Sequence, residues 1–327
     1  MSTSREWLTR VATHPQDEDA RRVGAEALEA EDAPRAEFIR AQVSLAGRRL
    51  DPARRRELKH RSNTLLQTHD AQWAGRLRAL GASDFQFIQG FVQEVSLSET
   101  ALATHGAKLF ALEPVNRLRL VLSDGEGLAW AVNQPWFAQL RGLYLSGKGL
   151  AAAARALANA SHPECLEFLV LSSAGVKAVE VLSQSEKLTS LRSLSLTGNA
   201  DLGDKAAELL ASTRLTLSRL YLTDTGLSDE GVGTLARAKP LQSLELLALN
   251  RNQITDEGVE QLAASKTLVK LRHLELAGND ELTEEGLLAL RSAKALPALR
   301  VLLLRGLFYS ARELAPLSKR FGKGLKL

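Results

Sequence analysis

Residues 244–270 read LELLALNRNQITDEGVEQLAASKTLVK, and this stretch contains both halves of a unit that recurs along the chain. Its first half has the form L-x-x-L-x-L, whose last two leucines alternate with other residues and therefore point to one side of a short strand. Its second half, DEGVEQLAAS, carries apolar residues at helical spacing. The stretch therefore predicts one strand followed by one helix.

The unit occurs nine times in phase. With Val allowed for Leu, the L-x-x-L-x-L pattern begins at Val92, Val115, Leu140, Leu166, Leu191, Leu217, Leu244, Leu271 and Leu299. Successive copies start 23 to 28 residues apart. One strand and one helix cannot bury a core alone, whereas stacked copies can. The spacing therefore predicts an α/β repeat array with parallel strands on one side and helices on the other.

The copies resemble leucine-rich repeats of the ribonuclease-inhibitor type, whose units read L-x-x-L-x-L-x-x-N and open their helix with D-x-G. Asn199, Asn252 and Asn279 match the Asn position. Other residues fill that position in other copies, among them Ser123, Lys148, Ala174, Thr225 and Leu307. The resemblance implies a leucine-rich-repeat solenoid, with a curved parallel sheet inside and helices outside. It also implies that each Asn bonds the buried backbone of its turn.

Helix starts are marked by acidic and hydroxyl residues. Asp229 and Asp256 stand at the beginning of D-E-G, where an N-cap belongs, and Thr283 is expected to fill the equivalent role in the next copy. We therefore predict that these three residues cap their helices.

Residues 142–149, GLYLSGKG, approach the phosphate-binding pattern G-x-x-x-x-G-K-[ST]. Gly149 stands where the hydroxyl that holds Mg²⁺ is required, and Lys148 occupies the Asn position of its repeat. We therefore interpret the stretch as a repeat turn. No histidine pair has a dense metal-binding spacing, and no G-x-S-x-G elbow is present. The sequence predicts no catalytic residue, no metal site and no cofactor, and hence a non-enzymatic protein.

Residues 1–84 lack the repeat and are predicted to form an all-helical N-terminal cap, with residues 85–327 forming the repeat domain of about nine units. The expected helices are 5–12, 18–30, 35–49, 52–68 and 71–80. Three stretches resemble a bacterial module found beside leucine-rich repeats, the repeat-companion domain: DAPRAEFIRAQ (32–42), RRRELKHRSNTLLQTHDAQW (54–73) and FQFIQGFVQEVSL (85–97). Arg35, Glu37 and Arg40 are expected to form structural ion pairs.

Composition and charge narrow the class of protein. The chain has 327 residues, a formal net charge of +4 and one cysteine, so no intrachain disulfide can form. No apolar run approaches the length of a membrane span, and no secretory signal is recognisable. We therefore expect a cytoplasmic protein, and its Ala-rich, Arg-rich composition suggests a bacterial source. A weak basic bias makes nucleic acid an unlikely partner.

Two segments concentrate the basic residues. Residues 47–61, GRRLDPARRRELKHR, hold seven Lys or Arg against two acids, and the C-terminal SKRFGKGLKL holds four more. We expect a solvated helix face and a frayed tail, with an acidic partner, a phosphate backbone or anionic lipid as the alternative.

The residues that flank the strand leucines define the candidate binding surface. The third, fifth and seventh residues of each copy are predicted to lie on the concave side of the sheet, and we call this set the strand face. Its aromatic, charged and apolar members are the candidate partner-binding residues, because Tyr and Arg often anchor interfaces. They are Arg117, Arg119, Tyr144, Phe168, Arg219, Tyr221, Leu246, His273, Glu275 and Arg305.

The predicted function is binding of a protein partner, of unknown identity, on this strand face. The alternative for any single residue is that it packs on its neighbours along the sheet. Three further roles stay open: an inhibitor or immunity protein that masks an enzyme, a GAP-like regulator of a small GTPase, and a structural scaffold. Ran GTPase-activating proteins share this repeat type. The sequence does not specify an oligomeric state.

Leu247, the fourth residue of the best copy, tests the predicted core. Replacement by Ala should lower the free energy of unfolding by about 2–5 kcal/mol, because it removes buried methyl groups and leaves a cavity. Urea unfolding of the wild-type and Leu247→Ala proteins measures the difference. A change too small to detect would show that Leu247 is not in the core.

Overall fold

A computed structural model describes residues 6–47, 50–161, 163, 165–291, 293–305 and 311–327, with the side chains of 311 and 312 excepted. The chain divides into two compact units. The first comprises the residues up to Val121 together with Asn133–Tyr144, and the second comprises Leu122–Val132 together with Leu145–Leu327. The predicted division at residues 84 and 85 stays a prediction. No helix within the described ranges is both long and apolar enough to span a membrane.

The first unit begins with four helices and continues with strands. Its elements are α1 (Glu6–Thr13), α2 (Glu18–Leu28), α3 (Ala33–Ala46), α4 (Pro52–Arg78), β1 (Ser83–Ile88), β2 (Phe91–Ser98), α5 (Glu99–Leu112), β3 (Arg117–Leu122), a 3-10 turn (Pro135–Gln139) and the first half of β4 (Gly142–Gly147). β1 and β2 form an antiparallel hairpin, and β3 runs parallel to β2. The two helices expected at 52–68 and 71–80 are one helix, because no Gly or Pro interrupts the segment between them.

The N-terminal helices pack around aromatic and charged side chains. Trp73 of α4 donates its indole N–H to Asp32 at 2.9 Å, and its ring lies 5.1 Å from that of Phe38. Asp32 also caps α3 by accepting the amide of Arg35 at 3.0 Å. Side chains from all three stretches that resemble the companion module therefore meet here, because Phe87 lies 6.2 Å from Trp73.

The ion pairs expected in this segment are confirmed. Arg35 pairs with Glu113 at 3.1 Å, Glu37 with Arg61 at 2.6 Å and Arg40 with Glu29 at 2.5 Å. The described part of the basic stretch 47–61 is mostly exposed, which agrees with a solvated helix face.

The second unit contains the regular repeats. Its elements are α6 (Glu126–Ala131), the second half of β4, α7 (Leu150–Ala158), β5 (Phe168–Leu171), α8 (Val176–Ser183), β6 (Ser193–Ser195), α9 (Gly203–Ala211), β7 (Arg219–Tyr221), α10 (Asp229–Arg237), β8 (Leu246–Ala248), α11 (Asp256–Ala263), β9 (His273–Glu275), α12 (Glu284–Arg291), β10 (Val301–Leu303), α13 (Ala311–Phe321) and β11 (Leu325–Lys326), with 3-10 turns at Ala200–Leu202, Lys239–Leu241 and Gly322–Gly324. From β5 to β11, each strand pairs in parallel with the next. The predicted α/β leucine-rich-repeat fold is confirmed.

Every copy places the leucine positions of its pattern in the core. The first, fourth and sixth residues of all nine copies are at most 3% exposed. Equivalent leucines are also in register, since Leu220 pairs with Leu247 and Leu247 with Leu274. Each fully buried leucine contributes about 1.5–3 kcal/mol to folding, so the leucine columns form the main stabilising element of the array.

The asparagines bond the turns of two adjacent copies, as the resemblance implied. Asn252 donates its Nδ2 to the carbonyls of Leu222 at 2.7 Å and Leu249 at 3.0 Å. Its Oδ1 accepts the amides of Thr225 at 3.0 Å and Leu227 at 3.1 Å. The side chain thus satisfies backbone groups that would otherwise be buried without partners.

The aspartates of D-E-G act between copies, so the prediction that Asp229 and Asp256 are N-caps is wrong. The caps of α10 and α11 are Ser228 and Thr255, one residue earlier. Asp229 instead accepts the amide and the hydroxyl of Thr255, at 2.9 and 2.6 Å, from the following copy. Asp256 bonds Thr283 in the same way, and Thr283 caps as expected, since its Oγ1 accepts the amide of Glu285 at 3.2 Å.

The C-terminal tail is ordered by the sheet, so the expected frayed tail is wrong. β11 pairs with β10, and the amide of Leu304 donates to the carbonyl of Lys326 at 2.8 Å. Arg320 of α13 donates to the carbonyls of Ala293 and Leu296 at 3.4 and 3.2 Å. These bonds give the last repeat strand a partner where the leucine pattern has ended.

Gly258 makes the Asp229 bridge possible, and its replacement by Ala tests the bridge. A Cβ at Gly258 would lie 2.3 Å from Asp229 Oδ1. Ala normally stabilises a helix by about 1 kcal/mol over Gly, but here it displaces a carboxylate that accepts two hydrogen bonds, each worth about 1.5–3 kcal/mol. We expect Gly258→Ala to lower the free energy of unfolding by about 1–2 kcal/mol.

Gly75 of α4 is the matched control, because a Cβ there meets no atom within 4 Å. Gly75→Ala should raise the free energy of unfolding by up to about 1 kcal/mol. Urea unfolding of both variants measures the sign of each change in the free energy of unfolding. If both substitutions stabilise the protein, the bridge does not contribute as described.

Candidate functional site

The strand face is accessible along most of its length. Nearly all of its described residues are exposed or half-buried, whereas Glu94, Gly142 and Ala248 are buried. Alternation along a strand explains the pattern, because the fourth and sixth residues of each copy point into the core. The predicted site residues therefore occupy the accessible side of the strands, and they fall into separate groups in the two units.

In the first unit, two arginines and a tyrosine surround a buried carboxylate. Arg119 Nε lies 2.6 Å from Glu94 Oε1, and Arg117 Nη1 lies 3.9 Å from Glu94 Oε2. The guanidinium of Arg119 also stacks over the ring of Tyr144, with 4.2 Å from Cζ to the ring centroid. Glu94 is 2% exposed, so two partly exposed cations compensate a carboxylate removed from water. We call these four residues the Glu94 cluster.

The Glu94 cluster also affects the ionisation of its tyrosine. Burial raises the pKa of Tyr144 above the ordinary value of 10.0, and the negative charge of Glu94 raises it further. Arg119 and Arg117 lower it, but their effect is smaller. The phenol therefore keeps its proton to a higher pH than an ordinary tyrosine does.

In the second unit, Arg219, Tyr221 and Leu246 occupy β7 and β8. Arg219 lies opposite Leu246 in the parallel register, and Tyr221 lies opposite Ala248. Arg219 is exposed, whereas Tyr221 and Leu246 are half-buried. Among the described residues, no ion pair is made by Arg219 and no hydrogen bond is made by the Tyr221 hydroxyl. We call these three residues the Arg219 cluster.

His273 and Glu275 continue the strand face on β9, where His273 lies opposite Leu246. The two side chains are in contact, with 3.1 Å between His273 Nε2 and Glu275 Oε1. The contact lacks hydrogen-bond alignment. The other oxygen of Glu275 accepts Nδ2 of Asn250 at 2.7 Å, and Asn250 also accepts the amide of Ala277 at 2.9 Å. Glu275 is therefore fixed in position by the repeat itself.

Two predicted site residues lie apart from these groups. Phe168 of β5 pairs with Ser193 of β6, which separates it from Arg219 in the register. Arg305 is exposed beyond the end of β10. The structure brings neither residue into the Arg219 cluster.

The GLYLSGKG stretch is the whole of β4 and the first two residues of the turn after it, as interpreted. Gly147 has a φ of 93°, and a Cβ there would lie 2.3 Å from the carbonyl oxygen of Leu122. Lys148 donates its amide to the same oxygen at 3.1 Å, and its side chain is exposed. Glycine at position 147 therefore allows the backbones of the two successive turns to approach each other closely. Within the described ranges, no group of three or more His, Cys, Asp or Glu is arranged to hold a metal.

Two contributors to the site were missed by the sequence-based selection. Glu94 and Asn250 stood in the strand-face columns but were not chosen as site residues. Glu94 is the third residue of the copy that precedes the two arginines. Its negative charge on β2 lies next to their positive charges on β3, and this pattern of opposite charges on adjacent strands would have identified it.

Comparison with known proteins agrees with the repeat pattern. A family model described as "Leucine Rich repeat" matches residues 187–211, 241–263 and 267–290. Among solved structures, the chain is similar to one titled "Crystal structure of Rad7 and Elc1 complex in yeast", with 16% identity, a TM-score of 0.46, and coverage of 93% of this chain and 88% of that chain. No curated protein matches the chain. The family match shows leucine-rich repeats at these residues, and repeats of this kind are typical of protein–protein interaction modules.

The charge of Glu94 can be tested through the titration of Tyr144. Replacing Glu94 with Gln removes the negative charge that helps to raise the tyrosine pKa, so phenolate should form at lower pH than in the wild-type protein. Absorbance at alkaline pH, recorded for both proteins, measures the shift. Glu260→Gln, an exposed change on α11, is the control and should leave the titration unchanged. An unaltered curve in Glu94→Gln would refute the electrostatic contact.

The raised pKa of Tyr144 also predicts a pH effect on stability. A folded state with the higher pKa binds the proton more tightly, so this contribution is complete below the ordinary value of 10.0 and is lost as pH rises through the higher folded value. Tyr144→Phe cannot ionise and should lose less stability than the wild type between neutral pH and pH above 10.0. Thermal unfolding across this range checks the difference.

Proposed function

We propose that the chain is a non-enzymatic protein–protein interaction module that binds a protein partner through its strand face, with the Arg219 cluster as the main contact. One observation supports this proposal. Among the described residues, the Arg219 guanidinium has no ion-pair partner and the Tyr221 hydroxyl has no hydrogen-bond partner, and both lie beside the partly exposed Leu246. Tyr and Arg with an apolar neighbour are the usual components of a binding hot spot.

The two clusters differ in how many of their charged and hydrogen-bonding groups are already used within the protein. In the Glu94 cluster, Arg119 is already held by a buried carboxylate and by the ring of Tyr144. A partner would gain less from Arg119 because its guanidinium already has a counter-charge. In the Arg219 cluster, the guanidinium and the phenol hydroxyl have all their hydrogen-bonding capacity available to a partner.

The chemistry of the cluster indicates the partner surface that it would bind. Arg219 presents the fork of donors that matches a carboxylate. Tyr221 and Leu246 provide apolar area around it, which excludes water from the charged contact. The partner is therefore proposed to present an Asp or Glu side chain next to an apolar patch. His273 and Glu275, fixed on the adjacent strand, would form the polar rim.

Affinity capture with two matched variants tests the proposal. The double variant Arg219→Ala/Tyr221→Ala should recover a specific partner at least about tenfold less well than the wild-type chain, because hot-spot residues contribute about 2 kcal/mol or more. The control is Lys266→Ala/Val269→Ala, which changes one charged and one apolar residue exposed outside the strand face. Quantitative mass spectrometry of the captured proteins gives the ratios, and circular dichroism verifies that both variants are folded.

The captured partner would then be purified and titrated directly against the three proteins. Equal affinity for the wild-type chain and the Arg219→Ala/Tyr221→Ala variant would exclude the Arg219 cluster. The identity of the partner would also separate the roles left open by the sequence, since an enzyme, a small GTPase and an assembly subunit require different follow-up assays.

A further inference from the structure

The strand face carries a second apolar patch and a second cation beyond the Arg219 cluster. Val301 and Leu303 are the strand-face residues of β10, and both are half-buried. Lys326 of β11 lies opposite Leu303 in the parallel register and is exposed. These three residues were not selected from the sequence. Their position extends the accessible surface from β7 to β11, within the second unit.

The register places these residues in rows that cross the five strands from β7 to β11. The first row consists of Arg219, Leu246, His273 and Val301. The second row lies two residues further along each strand and consists of Tyr221, Ala248, Glu275, Leu303 and Lys326. From β7 to β11, the surface thus presents a cation with a tyrosine, an apolar side chain, a polar pair, an apolar pair and a second cation.

The positive charge at the two ends of this surface is not offset on the strand face. Glu275 is the only acid among the third, fifth and seventh residues of the last four copies. Glu275 contacts His273 and accepts Nδ2 of Asn250. Arg305, exposed beyond the end of β10, adds positive charge at the end where Lys326 lies. A complementary partner segment therefore has an acid at each end and apolar residues between them.

The dimensions of the surface suit one helix that lies across the strands. The strands β7, β8, β9 and β10 have three residues each. Three residues span about 10 Å, which is about the diameter of a helix with its side chains. Neighbouring strands lie about 4.8 Å apart, and one helical turn rises about 5.4 Å. Successive turns therefore meet successive strands, and over the four intervals from β7 to β11 the two spacings differ by only about 2.4 Å.

An extended segment across the strands fits less well. Its side chains on one side repeat about every 6.7 Å, so after three intervals they are about 6 Å out of step with the strands, which is more than one strand spacing. An extended segment also cannot join the sheet between β7 and β11, because β8, β9 and β10 are each paired on both sides. The spacing therefore favours a helix.

We propose that the partner binds this surface through an amphipathic α-helix with an acidic residue at each end. Its contact face has an acid, an apolar residue, a polar residue, an apolar residue and an acid at i, i+4, i+7, i+11 and i+14, which lie on one side of a helix. The acids face Arg219 and Lys326, and the apolar residues lie on Leu246 and on Val301 with Leu303. This inference rests on the proposed function, because it specifies the partner segment that occupies the same strand face.

Synthetic peptides of about 20 residues test the pattern without the natural partner. The matched peptide is an uncharged Ala/Gln helix that has Glu at both acidic positions and Leu at both apolar positions. The inverted peptide exchanges Glu and Leu, so its composition is the same, and circular dichroism verifies that both peptides are helical. Fluorescence anisotropy against the full chain should give a Kd of about 100 μM or tighter for the matched peptide and an at least about tenfold higher Kd for the inverted one. Equal affinities, or no binding of the matched peptide at about 1 mM, would overturn the proposal.

Reversal of one end charge locates the bound peptide. Lys326→Glu should weaken binding of the matched peptide about tenfold, because it places like charges together. Of the two peptides in which Lys replaces a single Glu, one should bind this variant as tightly as the matched peptide binds the wild type, and its identity gives the direction of the helix. Lys266→Glu, an exposed change outside the strand face, is the control and should leave the affinity for the matched peptide unchanged. Restored binding of neither Lys peptide would overturn the proposal.

Failure of this inference is distinguishable from failure of the proposed function. If the Arg219→Ala/Tyr221→Ala variant loses a captured partner while the chain binds the matched and inverted peptides equally, the strand face is the binding surface and the helical segment is wrong.

Discussion

The repeat array depends on one constraint, which is that the polar groups buried at each turn have no complete set of partners within their own copy. Asn252 reaches the carbonyl of Leu222 in the preceding copy, and Asp229 reaches the amide of Thr255 in the following one. Leaving such a group unpaired costs about 1–3 kcal/mol. Adjacent copies are therefore joined by hydrogen bonding as well as by the burial of leucine, and stability is shared between neighbours.

The same constraint separates structural positions from those free for recognition. The core uses the first, fourth and sixth residues of a copy, and the turn uses the ninth, so the third, fifth and seventh can vary without loss of the fold. Arginine and tyrosine occur there together in two places, with different consequences. Arg119 is held by Glu94 and stacks on Tyr144, whereas Arg219 and Tyr221 have no such neighbour among the described residues. Availability to a partner thus depends on adjacent strands rather than on residue type.

The first unit satisfies its buried polar groups with different side chains from those of the repeats. Its helices enclose guanidinium groups and indole rings instead of an asparagine column, and Arg35 is the centre of this arrangement because it contacts Glu113, Trp73 and Phe87.

The sequence by itself determined the repeat period, the buried leucines and the strand positions, because each follows from a pattern in which every copy obeys the same local rule. The bonding role of Asn252 was implied by the resemblance to leucine-rich repeats of the ribonuclease-inhibitor type. Only the tertiary structure decided what depends on neighbouring copies or on distant segments. Asp229 was expected to cap its own helix, but it bonds Thr255, which stacking places beside it. The tail was expected to fray, but β10 gave it a pairing edge. Glu94 was not chosen as a site residue, because its burial between Arg117 and Arg119 arises only when strands from different copies lie side by side.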